Sequence, residues 1–170
     1  MIYVFLADGF EETEAIAPID MLRRAKLDVK LVGVGTSTPT SSHGIRVTAD
    51  LTEAEVKLDS SVQLIVLPGG MPGTLNLEKS PVVQSAIKYC VENGIPVGAI
   101  CAAPSILGKL GLLNGRKAVC FPGFEQYLTS CALPMVSSRP HAALERRSSS
   151  GWNLSRFSAA KRDQQSFALP

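Results

Sequence analysis

The chain has 170 residues, 45% of them hydrophobic, and a formal charge of +2. That length fits one ordinary domain, with enough apolar material to bury well over half of the unfolded surface. So balanced a charge argues against a nucleic-acid partner, and no apolar stretch is long enough to span a bilayer, so no membrane partner is expected either.

Residues 2–7, Ile-Tyr-Val-Phe-Leu-Ala, form a continuous apolar run closed by Asp8-Gly9, as in a parallel strand buried on both faces. No basic segment precedes this run, and Asp8, Glu11 and Glu12 follow it where a secretory leader would carry a small-residue cleavage site. Over residues 11–25, Ala15, Ile16, Ile19, Leu22 and Ala25 recur at helical spacing, with acids in the first turn and Arg23, Arg24 and Lys26 at the end, matching the helix dipole. Pro18 predicts a kink or a second segment within that helix. Residues 27–34 alternate as a strand. The Ser-, Thr- and Pro-containing stretch 35–44 is a loop before a short strand near residues 45–47.

The next strand, residues 63–67, runs into Pro68-Gly69-Gly70. Ser80 and Pro81 then cap and open a helix that Gly94 stops, and residues 96–100 form another short buried strand. This order describes a parallel sheet flanked by helices, with right-handed crossovers that bring the strand ends to one edge, where such sheets bind ligands. Three strand ends carry unusual residues there: 8–14, Gly69-Gly70, and Cys101. The four cysteines, Cys90, Cys101, Cys120 and Cys131, lack both CxxC spacing and the density of a disulfide scaffold, which predicts a reducing, cytoplasmic location.

Cys101 ends an apolar strand, and a helix pattern begins within a few residues, with Ala99, Ala102 and Ala103 small enough for a tight turn. Such an elbow exposes a nucleophile, and a helix N-terminus there favours the thiolate. The bland alternative is an inert buried cysteine. Gly69 and Gly70 either form a simple turn or bring amides close to a bound carbonyl, making an oxyanion site with the amide of Ala102. Glu11, Glu12 and Glu14 read as a solvated first turn, unless Glu14 packs beside the thiol. Burial and like charge would then raise its pKa and let it hold and deliver a proton.

The segments A-D-G-F-E-E-T-E-A, L-P-G-G-M-P-G-T-L-N-L and G-A-I-C-A-A-P-S-I-L resemble the three signatures of the ThiJ/PfpI (DJ-one) family, in the class I glutamine-amidotransferase-like superfamily, over residues 1–128. The resemblance implies a flavodoxin-like three-layer α/β sandwich with Cys101 as nucleophile, Glu14 as its acid partner, and the amides of Gly70 and Ala102 as oxyanion donors. It also implies a homodimer, no metal or organic cofactor, and a small aldehyde substrate. His43 falls where relatives place a basic or polar pocket residue, and an exposed loop histidine is the competing reading. Ala102 stands where peptidase-like relatives carry histidine, which argues against proteolysis. Relatives of this kind are glyoxalases, deglycases, oxidative-stress sensors or chaperones.

After residue 128 the motif resemblance stops, and residues 129–170 carry six basic against two acidic residues with no clear apolar period. One reading is a divergent, disordered tail. The other is a shifted reading frame with the C-terminal strand and helix disrupted. Joining the third base of each codon to the first two of the next lets residues 140–155 encode A-R-G-A-G-A-A-L-E-F-G-L-E-L-V, which resembles the missing family segment. The Trp152-Asn153 junction then allows only Glu. A damaged gene and an inactive product would follow. The coding DNA across Thr129 decides between the two: the shift predicts a base inserted or deleted there relative to related genes, and an aligned, unshifted frame removes the idea.

Overall fold

The computed structural model describes residues 1–128, so both readings of the 129–170 tail fall outside the described residues. Among the described residues there are five parallel strands, β1 (Ile2–Ala7), β2 (Val29–Val34), β3 (Leu51–Thr52), β4 (Leu64–Leu67) and β5 (Val97–Ala99), in the order β3-β2-β1-β4-β5. Four α-helices connect or follow them: α1 (Glu12–Arg24), α2 (Gly73–Lys79), α3 (Pro81–Glu92) and α4 (Pro104–Lys109).

The central strand divides the core. Successive side chains of a strand point to opposite faces, so Ile2, Val4 and Leu6 of β1 pack with Ala15 and Ile19 of α1, while Tyr3, Phe5 and Ala7 join Val83, Ala86 and Ile87 of α3 and Ile106 and Leu107 of α4. All six β1 residues are buried. This is the flavodoxin-like α/β layering expected from the sequence, with α1 on one face of the sheet and α3 and α4 on the other.

Several local expectations are refined. α1 runs through Pro18 as a single helix, although proline has no amide to donate to the carbonyl of Glu14. Residues 45–47 form no strand. Arg46 makes only an isolated antiparallel bridge to Thr40, and the third strand of the sheet lies at Leu51–Thr52 instead. α2 fills the segment after Pro68-Gly69-Gly70, where no helix was expected. α3 starts as predicted, with Ser80 accepting a hydrogen bond from the amide of Val83 and Pro81 in the first turn.

The topology also fixes where a site can form. From β1 the chain passes to β2 and β3 on one side, then returns to β4 and β5 on the other, so β1 and β4 flank the point where the winding reverses. Loops leaving adjacent strands there diverge and open a crevice at the carboxyl edge. Residues 8–11, Pro68-Gly69-Gly70 and Cys101 follow β1, β4 and β5 directly.

Candidate active site

β5 ends at Ala99, and the chain turns sharply over residues 100–103. Cys101 has φ +59°, the left-handed region that costs a side-chain-bearing residue about 1–2 kcal/mol. The amide of Ala103 donates to the carbonyl of Ile100 at 3.0 Å, and the amide of Phe121 donates to the carbonyl of Cys101 at 2.7 Å. Ala102 and Ala103 are buried, so their small side chains let the turn close against the core. Cys101 itself is partly exposed and its thiol is free. A strained residue held at a strand-to-helix turn is the geometry of a nucleophile elbow.

Glu14 reaches this thiol from the first turn of α1. Its Oε2 accepts a hydrogen bond from the amide of Gly69 at 2.8 Å, and its carboxyl is hydrogen-bonded to Cys101. Gly69 packs against both groups: a Cβ at that position would sit 2.6 Å from Glu14 Oε2 and 2.7 Å from Cys101 Cβ. Gly70 has φ +93°, and a side chain there would meet the backbone of Gly9, Phe10 and Glu11. The glycine pair thus lets the β4 turn pass between the β1 loop and the elbow.

Roles within the turn are divided. The amides of Gly70 and Ala102 hydrogen-bond to the sulfur of Cys101. The amide of Gly69 is committed to the Glu14 carboxylate, so Gly69 orients the acid and does not complete an oxyanion hole. Spacing alone does not reveal that division, because both glycines follow the strand and only the turn geometry sends their amides in different directions.

Charge is distributed unevenly across the pair. Burial pushes the Glu14 carboxyl above its ordinary value, the hydrogen bonds from Cys101 and Gly69 oppose the rise, and the negative charge of Glu11 adds to it. Burial also pushes the Cys101 thiol up to about 12, reinforced by the charge of and hydrogen bond to Glu14, while the Ala102 and Gly70 amides pull it down. This differs from the lowered thiol expected at a helix tip. α4 begins only at Pro104 and spans six residues, so its dipole does not offset burial. The two groups therefore act as a coupled pair: a proton on Glu14 removes the charge that opposes the thiolate.

His43 pairs with Glu12, two residues before Glu14. Its exposed ring contacts Glu12 Oε1 at 2.7 Å through Nδ1 and the Ser42 hydroxyl at 3.2 Å, joining the loop after β2 to the first turn of α1. Glu11, Glu12 and His43 cluster closely. Glu11 caps the helix, while Glu12 and His43 pair. Sequence reasoning passed over Glu11, whose carboxylate accepts from the amide of Glu14 at 2.7 Å. An N-cap signal three residues ahead of Glu14 could have flagged it, although glutamate is not among the usual capping residues.

The wedge at Gly69 carries a prediction. Gly69→Ala forces Glu14 and Cys101 apart, so the variant should lose both thermal stability and the dependence of Cys101 alkylation on Glu14. A variant with unchanged melting temperature and an unchanged alkylation profile would contradict the geometry.

Comparison with known proteins bears on the family and the fold. Residues 1–141 match the model of the DJ-1/PfpI family, running past the 128 residues whose motifs carry the resemblance. Protein DJ-1 homolog A of Arabidopsis thaliana is 38% identical over 136 residues, covering 79% of this chain but 34% of that protein. The chain thus spans only about a third of that relative's length. A deglycase of Pyrococcus horikoshii is 32% identical over 133 residues, covering 78% of each chain. The solved structure of oxidized Toxoplasma gondii DJ-1 superposes with a TM-score of 0.70 at 36% identity, covering 74% of this chain and 69% of the other. With the fold, the motifs and the relatives in agreement, this chain belongs to the DJ-1/PfpI family.

Proposed function

We propose that this chain is a cofactor-free, cysteine-dependent enzyme of glyoxalase or deglycase type, acting on methylglyoxal or glyoxal-derived adducts. The observation that carries this reading is the hydrogen-bonded pair of Glu14 and Cys101, with the amides of Gly70 and Ala102 on the sulfur. Archaeal relatives named deglycases support the reaction class.

The reaction begins with Cys101 as thiolate and Glu14 protonated. The sulfur attacks the aldehyde carbon, a C–S bond forms, and the alkoxide takes the Glu14 proton to give a neutral hemithioacetal. The Glu14 carboxylate then removes the proton on C1, and electrons move onto the neighbouring ketone oxygen. Glu14 returns its proton to C2, and the C1 hydroxyl proton passes to the C2 oxygen, leaving a thioester of a 2-hydroxy acid. Water hydrolyses the thioester, releasing lactate and restoring the thiol. The sum is methylglyoxal plus water to lactate, with no external oxidant or reductant. The Gly70 and Ala102 amides serve developing oxyanions next to the sulfur.

The same proposal includes a cytoplasmic location, suited to the free thiols of Cys90, Cys101 and Cys120, and a homodimer through the exposed apolar side chains Ile16 and Met21 of α1 and Ile45. A single-chain mass in sedimentation would remove the dimer. A sensor reading rests on the partly exposed Cys101 thiol, which two successive equivalents of peroxide would take through sulfenic to sulfinic acid. A chaperone role would rest on exposed apolar surface.

Mutation separates these readings. Cys101→Ala should abolish methylglyoxal consumption, and Glu14→Gln should lower turnover by about a hundredfold or more. Glu14→Gln should also move the midpoint of Cys101 alkylation below about 12, because the carboxylate charge that helps raise the thiol is gone. Persistent turnover in Cys101→Ala would sink the enzyme reading, while client protection unaffected by that substitution would favour a chaperone.

A further inference from the structure

We propose that Glu11 is a positioning residue for the proton held between Glu14 and Cys101: from the cap of α1, its carboxylate fixes the backbone of Glu14 and biases that proton toward Glu14 and away from the sulfur. The inference rests on the acid and thiol pairing of the proposed function and adds a residue that this pairing does not include.

Geometry comes first. Glu11 is the N-cap of α1, and its Oε2 accepts from the amide of Glu14 at 2.7 Å and from the hydroxyl of Thr13 at 2.6 Å. Its own amide donates to the carbonyl of Gly69 at 2.9 Å, while the amide of Gly69 donates back to Glu14 Oε2 at 2.8 Å. The helix start and the β4 turn are thus joined by two hydrogen bonds running in opposite directions, with Glu11 at one end and Glu14 at the other. Glutamate is a less usual cap than Ser, Thr, Asp or Asn, any of which would cap with a shorter side chain. What glutamate and aspartate add over the neutral caps is charge beside the acid.

That charge acts selectively. The titratable groups acting on Glu14 are Cys101, from the turn after β5, and Glu11, from its own helix; the β4 turn contributes only the uncharged amide of Gly69. The neighbouring Glu12 is paired with His43. The influence of Glu11 falls on Glu14, whereas the groups that shift Cys101 are Glu14 and the two amides. When one proton is shared by the pair, a negative charge on the carboxyl side favours protonated acid beside thiolate over carboxylate beside thiol. The Glu11 carboxylate thereby raises the fraction of reactive sulfur near neutral pH.

The test is the iodoacetamide alkylation rate of Cys101 from pH 5 to 10 in the full chain, read at the Cys101 peptide by mass spectrometry. Glu11→Gln keeps an oxygen acceptor for the cap but loses the charge. It should slow alkylation near pH 7 by about three- to tenfold, and Glu11→Asp, which keeps both charge and cap, should restore it. In a Glu14→Gln background, adding Glu11→Gln should change nothing. Unaltered alkylation in Glu11→Gln, equal slowing at every pH, or slowing that persists without the Glu14 carboxyl would each overturn the proposal. Failure of the underlying pair shows separately, as a Glu14→Gln profile identical to that of the unsubstituted chain.

Discussion

The candidate site depends on an approach so close that no side chain fits within it. Glu14 comes from a helix on one face of the sheet and Cys101 from a turn at its carboxyl edge, and Gly69 packs against both. Alanine is the smallest replacement, yet its methyl group would overlap both the acid oxygen and the cysteine Cβ. The glycine therefore sets the distance over which a proton can pass. Its amide, held on Glu14 Oε2, also sets the direction the carboxyl faces.

The sheet makes that approach available. β1, β4 and β5 are adjacent and parallel, so their three C-terminal turns emerge side by side, and the reversal of winding between β1 and β4 keeps crossover connections out of the space above them. Burial of every β1 residue anchors the middle of this edge. The side chains that hold the sheet are not those that act: Ile2, Val4 and Leu6 fix α1, and α1 in turn presents Glu14.

Much of this was legible in the sequence, for identifiable reasons. β1, buried throughout, leaves a continuous apolar run; β4 is buried only at alternate positions and β5, expected to be buried, is half-buried, yet both keep enough apolar residues for the chemistry at their ends to be placed from residues 63–67 and 96–100. Ser80-Pro81 announced α3 because its capping chemistry is local. The misread features depend on contacts between distant residues. β3 is two residues long and exists through pairing with β2, and residues 45–47 have strand-like composition but only a bridge to Thr40. The different tasks of the Gly69 and Gly70 amides, the attachment of His43 to Glu12, and the capping role of Glu11 all follow from where the folded chain turns. Spacing does not encode those directions.

The thiol's environment gives the proposed pairing with a neighbouring acid its physical reason. A cysteine whose reactivity came from a helix dipole would need a long helix starting at the sulfur. Here, the residues between Cys101 and Pro104 form a turn, and α4 is short. Burial consequently works against the thiolate, and two amides only partly offset it. An ionised carboxylate would make matters worse, yet the same burial that opposes the thiolate also favours a protonated Glu14. Desolvation of both groups penalises two negative charges far more than one, so the pair settles into a state with one shared proton. In that state, the proposed chemistry would have the acid that quenches an alkoxide and the nucleophile that creates it present together, each depending on the other's charge.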